Sequence, residues 1–341
     1  LIGLVGSEMC IRDSTKIEEK KVTICAPTAH IVTRGDTLDG INLTLEITSP
    51  APEILRVRTY HYKGEVVNTP SFELELKEEL PLDVTDSEEE ISIKSGELTL
   101  VITKKNWSMT YYRNGEMITR SAGRDLALMK TDFKGFAYND TDAEETYMRQ
   151  MLSLSVGELV YGTGERFTPF VKNGQSIDIW NADGGTSTEQ SYKNIPFFIT
   201  NKGYGVLVNH PEKVSIEVAT EMVTRTEFSV PGGYLDYFLI NGPTMKEVLT
   251  RYTDLTGKPS LPAPWTFGLW LSTSFTTNYD EATVMSFIDG MLDRGIPLRT
   301  FHFDCFWMKE FHWSDFVWDN RVFPDPAGLL KSCLLYTSPS P

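Results

Sequence analysis

The 341-residue sequence predicts a two-part fold, an antiparallel β-sandwich followed by the opening strands of a parallel β/α domain. Three observations carry this. From about Val22 to Gly242, short strands succeed one another with turn residues between them and almost no helical period. A proline-rich stretch, Lys258 to Pro264, then interrupts the chain. Beyond it an apolar run, an amphipathic helix and a second apolar run follow in the order of a βαβ unit.

In the first part, Ile54, Arg56 and Arg58 alternate with Leu55, Val57 and Thr59, and Ile91-Ile93 and Val214-Ile216-Val218 repeat the two-residue period of a half-buried strand. The clearest hairpin runs from Ser108 to Thr119. Its Asn114-Gly115 pair supplies the two positive φ angles of a type I′ turn. Many short strands with turn residues between them indicate a sandwich; their shortness and irregular spacing argue against a membrane barrel. A short helix is expected over Thr244 to Leu255.

In the second part, Thr266 to Ser272 reads as a strand covered on both faces. Asn278 is placed to cap the next helix, with Glu281 three residues on. The apolar face is Val284, Phe287, Ile288, Met291 and Leu292, and Gly295 ends the helix. Leu298 to Phe303 is the second strand, and Asp325-Pro326 opens a second helix. Two parallel strands cannot close a sheet, so a (β/α)8 barrel or a doubly wound domain is expected to continue in a longer parent. The expected divisions are 1–14 a foreign-looking leader, 15–245 the sandwich, 246–264 a linker, 265–332 the first β/α units, and 333–341 a foreign-looking tail. Both ends resemble translated sequencing-adapter read-through, which puts the last native residues near Leu330 or Lys331.

Composition excludes several classes of function. With 47 acidic against 32 basic residues and a net charge of -15, the chain has no basic footprint for nucleic acid or an anionic membrane. The acidic run from Glu73 to Glu90 reads as a solvated loop between strands. No apolar run approaches the roughly 20 residues of a membrane span. Cys10, Cys25, Cys305 and Cys333 form no Cys-x-x-Cys pair, which favours a reducing compartment and hence the cytoplasm. Five scattered histidines, at 30, 61, 210, 302 and 312, form no metal spacing, so neither metal nor cofactor is expected.

In a parallel barrel the residues just past the strand ends line the active site. One such segment is Thr273 to Asn278; the other is Asp304 to Lys309, with Phe306, Trp307, Phe311 and Trp313 close by. A carboxylate beside aromatic platforms suits a sugar, whose hydroxyls need acceptors and whose C–H faces stack on rings. For each aromatic the competing account is core packing, for Asp304 an N-cap or turn, for His302 a satisfied core histidine. Nothing supports Cys305 as a nucleophile. Gly162-x-Gly164 lacks the third glycine of a nucleotide loop, and a tight turn accounts for it better.

The run Trp265 to Asp319, containing FGLWLSTSFTTNYDEATV and FHFDCFWMKEFHWSDFVWD, resembles the first barrel strands of the α-xylosidases of glycoside hydrolase family 31. Tyr161 to Phe167 (YGTGERF) resembles that family's sandwich motif. Asn181 to Ser187, with Tyr192 to Phe197 after it, resembles the loop that reaches from the sandwich to the barrel mouth. The resemblance implies a mutarotase-like sandwich, then a (β/α)8 TIM barrel. It implies Phe275 beside the sugar, Asp304 accepting hydroxyl hydrogen bonds, and Asp183 closing the site. Family α-glucosidases commonly place Ile and an aromatic where Cys305 and Phe306 stand, and an apolar wall there leaves the glucose hydroxymethyl group without a partner.

The family's two catalytic aspartates follow later barrel strands, the nucleophile within a Lys-Thr-Asp-Phe-Gly-Glu type of segment, and no such segment occurs here. The resemblance therefore implies a fragment of a retaining α-xylosidase acting on α-xylosyl oligosaccharides, inactive alone, from a homo-oligomeric parent. The alternatives are an α-glucosidase or related family enzyme, or a non-catalytic carbohydrate-binding sandwich.

Overall fold

The computed structural model describes residues 15–337 apart from 30, 39, 63, 65–72, 76–77, 132–144, 183–188 and 273–279. The chain divides into two compact units, Leu1–Lys258 and Pro259–Pro341.

The first unit is built from three sheets with antiparallel ladders among the described residues. The largest has eight strands, in the order Thr15–Glu18, Lys21–Pro27, Asn42–Ala51, Ile54–Tyr60, Tyr234–Asn241, Tyr204–Val208, Lys193–Thr200, Val160–Glu165. A five-stranded sheet runs Leu126–Thr131, Glu145–Ser153, Arg225–Pro231, Val214–Val218, Gln175–Ile179. A five-stranded meander takes the chain in order from Asp83–Asp86 to Glu116–Ala122.

One apolar core joins all three. Ile47, Leu55 and Tyr237 come from the large sheet, Leu128 and Phe228 from the second, and Ile93, Leu100 and Tyr111 from the meander. The alternation is the cause: every second side chain faces inward, as in Ile54–Tyr60, where Leu55, Val57 and Thr59 are buried while Arg56 and Arg58 are half-buried.

The expected hairpin is present. Arg113 pairs with Glu116 across Asn114 (φ 48°) and Gly115 (φ 82°), the type I′ signature. The acidic run departs from the expected loop, since Asp83–Asp86 is a strand at the meander's edge and Glu90 begins the next. Its exposed carboxylates then serve as an edge that resists further pairing, and Asp86 meets the Lys104 ammonium at 2.6 Å.

Helix α1 (Met245–Thr256) begins at Thr244, whose hydroxyl accepts from the Glu247 amide while Glu247 returns a bond, a capping box. Val248 and Leu255 bury against Phe197, Leu207 and Phe238 on the outer face of the large sheet. The helix thus occupies the first half of the stretch read as linker, and the units divide two residues after it, at Lys258.

The second unit holds a parallel pair, Leu269–Leu271 with Leu298–Phe301. Between them lies α2 (Glu281–Asp293), and α3 (Pro326–Thr337) follows. Both strands are shorter than expected. Pro264–Phe267 forms a 3-10 turn, and Leu269 and Trp270 are exposed, so the two-sided cover inferred from the apolar run is not found around them.

The N-cap of α2 is Asp280, whose carboxylate accepts from the Thr283 amide at 2.8 Å. The cap expected at Asn278 falls outside the described residues. Gly295 (φ 66°) closes the helix, with the Ile296 amide returning to the Met291 carbonyl. The buried face is Val284 and Ile288 with Met285, Met291 and Leu292, while Phe287 stays outside this cluster. Asp325 caps α3 as expected, accepting from Gly328 at 3.0 Å. That helix runs on through Cys333, which packs against the cluster, to Thr337, so the tail read as foreign from Cys333 is helical over its first residues. The leader 1–14 lies outside the described residues.

Candidate functional site

The strand Leu298–Phe301 ends earlier than expected, so Asp304 stands three residues past it. Phe303 between them turns inward, packing edge-on against Phe301, Trp318 and Phe323 at 5.3, 5.8 and 5.9 Å. Asp304 caps the 3-10 turn Cys305–Trp307, its Oδ1 accepting from the Cys305 amide at 2.7 Å. The cap and the half-exposed carboxylate coexist: one oxygen fixes the orientation of the group. Burial first, and the neighbouring Asp304 carboxylate second, raise the Cys305 thiol above its ordinary range. A raised thiol pKa leaves less of the nucleophilic thiolate.

The aromatics divide. Trp307 belongs to the core of this unit, 5.0 Å from Trp318. Phe306 meets Trp313 edge-on at 6.3 Å, and Trp313 stacks with Phe311 at 6.2 Å. Phe311 is 89% exposed and Phe316 75%, and both adopt positive φ (61° and 56°), a conformation that costs a bulky residue energy. Phe311 and the half-exposed Trp313 stack into a solvent-facing aromatic surface.

Asp319 anchors the segment from behind. Its carboxylate, buried, accepts from Arg321 Nε at 2.9 Å, and Arg321 also binds Glu310. These hydrogen bonds hold Asp319 at about 2, below the ordinary carboxylate range. His302, expected in the core, is exposed, its amide reaching the Leu271 carbonyl at 2.8 Å.

The second cluster lies in the sandwich unit, around Arg166, Asn181 and Asn194. Gly162, Thr163 and Gly164 all take positive φ (110°, 71°, 91°), where the strand Val160–Glu165 bulges against Lys193–Thr200. The glycines thus serve a β-bulge and not the tight turn expected. A Cβ on Gly164 would stand 2.1 Å from the Lys193 carbonyl oxygen.

The bulge delivers Arg166 into a ring of acceptors: the Thr163 carbonyl at 3.2 Å, Glu189 at 3.0 Å, Asp178 at 2.6 Å, and Asn194 Oδ1. Asn194 in turn donates to the Trp180 carbonyl at 2.8 Å, Asn181 Oδ1 at 3.1 Å and the Ser191 carbonyl at 2.8 Å. Asn181 and Ser191 are joined by an isolated parallel bridge. Only a planar guanidinium fork can meet so many carbonyls from one side chain.

Of the five residues expected at the site, Asp304, Cys305 and Phe306 are consecutive at the strand end; Phe275 and Asp183 lie outside the described residues. Arg166 and Asn194 were not singled out, because their partners are backbone carbonyls and side-chain amides up to 28 residues away, which leave no local pattern. The tetrapeptide Lys130-Thr131-Asp132-Phe133 shares four letters with the nucleophile segment. It continues with Lys134, and Lys130 and Thr131 end a strand of the sandwich unit. Among the described residues no group of three or more His, Cys, Asp or Glu could hold a metal, and no helix is long and apolar enough to cross a membrane.

Residues 44–217 match the model of the glycosyl hydrolase 31 N-terminal galactose mutarotase-like domain, and residues 259–336 that of the glycosyl hydrolases family 31 TIM-barrel domain. Over 314 residues the chain is 46% identical to α-xylosidase XylQ of Lactiplantibacillus pentosus and 46% identical to an α-xylosidase of Emericella nidulans. These alignments cover 92% and 87% of this chain but 40% of each relative. The identity to α-glucosidase 2 of Bacillus thermoamyloliquefaciens is 27% over 264 residues, 74% of this chain and 31% of that protein. In fold, the chain is similar to the dextranase of Flavobacterium johnsoniae complexed with glucose (TM-score 0.74, 20% identity, 97% of this chain and 38% of that one). It is similar also to an α-xylosidase from a soil metagenome (TM-score 0.66, 17% identity, 94% and 45%).

Proposed function

Because the chain belongs to glycosyl hydrolase family 31, we propose that it forms the sugar-recognising front of a retaining α-xylosidase that removes α-linked xylose from oligosaccharides. The observation that carries the reading is Asp304-Cys305-Phe306 at the end of the second parallel strand, with Asp304 oriented by its own cap. The 46% identity to two α-xylosidases, against 27% to an α-glucosidase, supports xylose over glucose.

In this reading Asp304 accepts hydrogen bonds from the hydroxyls of the terminal sugar. Charge-assisted bonds of this kind are the strong ones, and they are lost if the sugar is misplaced. Cys305 and Phe306 wall the position where glucose carries its hydroxymethyl group; an apolar wall gives that hydroxyl no partner, and a buried, unpaired hydroxyl is disfavoured. Phe275 and Asp183 complete the recognition set.

Bond cleavage with retention needs two carboxylates roughly 5 to 5.5 Å apart, one as nucleophile and one as acid and base. Neither has a matching segment in these 341 residues, so recognition is encoded here and cleavage is not. The parent enzyme is read as cytoplasmic and homo-oligomeric, with an oligosaccharide as its partner and neither nucleic acid nor membrane.

The test has two arms. The purified 341-residue chain is expected to release nothing from p-nitrophenyl α-xyloside. A longer chain carrying the two aspartates is expected to prefer the xyloside to the glucoside in kcat/KM, with Cys305→Ser, which offers the hydroxymethyl hydroxyl a partner, narrowing that ratio. Equal turnover of both sugars by the longer chain would sink the xylosidase reading.

A further inference from the structure

The geometry points to a carbohydrate-binding cleft built wholly within the sandwich unit, between Trp180, His210 and Tyr252. It uses none of the residues at the Asp304 strand end and does not rest on the xylosidase reading. The cleft encloses about 460 Å³, the size of a small-ligand pocket. It lies between Trp180-Asn181, α1 and the end of the strand Tyr204–Val208.

Its apolar walls include Ile195, Pro196, Leu207 and Pro211. Two rings frame it. Trp180 is 59% exposed, and Tyr252 is held in place by stacking on Phe197, centroids 4.0 Å apart and 16° from parallel. Trp180 is held through its backbone: its carbonyl accepts from Asn194, which Arg166 fixes. The wall is therefore set before any ligand arrives.

The polar groups on this wall have unused capacity. His210 is only 9% exposed, yet neither ring nitrogen has a hydrogen-bond partner among the described residues. Burial lowers its pKa, which keeps the ring neutral, so one nitrogen donates and the other accepts. Asn181 spends its side-chain oxygen on Asn194, while its amide nitrogen gives no hydrogen bond to a described residue.

These features select a ligand class. The Glu212 carboxylate in the lining and a net charge of -15 oppose an anion. A purely apolar ligand would leave His210 and Asn181 unpaired. A neutral molecule with one C–H face for an indole and hydroxyls that both donate and accept satisfies each group, and that describes a sugar.

The test is calorimetric titration of the 341-residue chain with a neutral xyloglucan oligosaccharide and, separately, with maltotriose. Saturable binding is expected to persist in the Asp304→Asn chain, which lacks the strand-end contribution, and to be weakened at least tenfold there by Trp180→Ala and by His210→Phe. If His210→Phe fails to fold, the largely exposed Trp180 decides. Binding that is lost in Asp304→Asn and unchanged in Trp180→Ala overturns the cleft while supporting the strand-end site. Absence of binding to either sugar, or binding indifferent to all three substitutions, overturns it as well.

Discussion

The hydroxyl oxygens of Tyr111 and Tyr237 lie 2.9 Å apart at the centre of the sandwich, where neither side chain reaches solvent. Tyr111 comes from the meander and Tyr237 from the eight-stranded sheet, so this bond joins two sheets that share no ladder. Burial pushes both phenols above their ordinary range, leaving each protonated and able to serve the other. Tyr237→Phe should cost about 1–3 kcal/mol, because the Tyr111 hydroxyl is left buried and alone. Replacing both by Phe should recover part of that loss. Urea unfolding of the two single variants and the double variant checks it; additive losses would show that the bond carries no coupling.

Asp236, 1% exposed, is held by Arg56 through two hydrogen bonds of 2.9 and 2.6 Å and by Asn209 at 2.8 Å. The two strands are neighbours in the large sheet, and Arg56 also lies over the Phe238 ring at 5.0 Å. Arg56→Met keeps much of the packing but strands a buried carboxylate, with an expected loss of about 3–5 kcal/mol. Arg56→Lys should fall between, since a point charge cannot reproduce the two-pronged geometry. Thermal or urea unfolding distinguishes the order.

These contacts also mark what could be read from the sequence. The strands Ile54–Tyr60 and Val214–Val218, the Asn114-Gly115 turn and the cap at Asp325 were legible because each depends on neighbours within a few residues. Tyr111–Tyr237, Arg56–Asp236 and Arg166–Asn194 were not, because their partners are 126, 180 and 28 residues apart and chosen by sheet order. At the strand end, the position of Asp304 was legible from an apolar run followed by a carboxylate, whereas the roles of Cys305 and Phe306 rest on the family resemblance alone. The early end of that strand was not, because Phe303 leaves it to join Trp318 and Phe323, which come later in the chain.

Gly164 and Gly157 separate two costs of a side chain at positive φ. Gly157 (φ 74°) has open space where a Cβ would stand, so Gly157→Ala should cost only the conformational strain, about 1–2 kcal/mol. Gly164 (φ 91°) faces the Lys193 carbonyl 2.1 Å from that Cβ, so the bulge itself must move. Gly164→Ala should destabilise more and should speed hydrogen exchange at Asn194, whose amide donates to Asn181 at 3.0 Å. Equal melting temperatures for the two variants would show that the close approach is not what requires glycine.

Glu227 makes the stability of the sandwich depend on pH. It sits on the strand Arg225–Pro231 opposite Glu217, with Arg149 at 4.0 Å and Glu221 beside that same arginine at 3.9 Å. Burial raises its carboxyl from the ordinary 4.5 to about 7; Arg149 pulls it back, and Glu221 and Glu217 add to the rise. Between those two values the folded chain holds a proton that the unfolded chain has released. The contribution is therefore fully present below about 4.5 and lost as pH rises through about 7. Glu227→Gln removes the titration while keeping the shape, so its melting temperature should fall less than that of the parent chain between pH 4.5 and 7. Identical slopes for the two proteins over that interval would show that Glu227 ionises in the folded state as it does in the unfolded one.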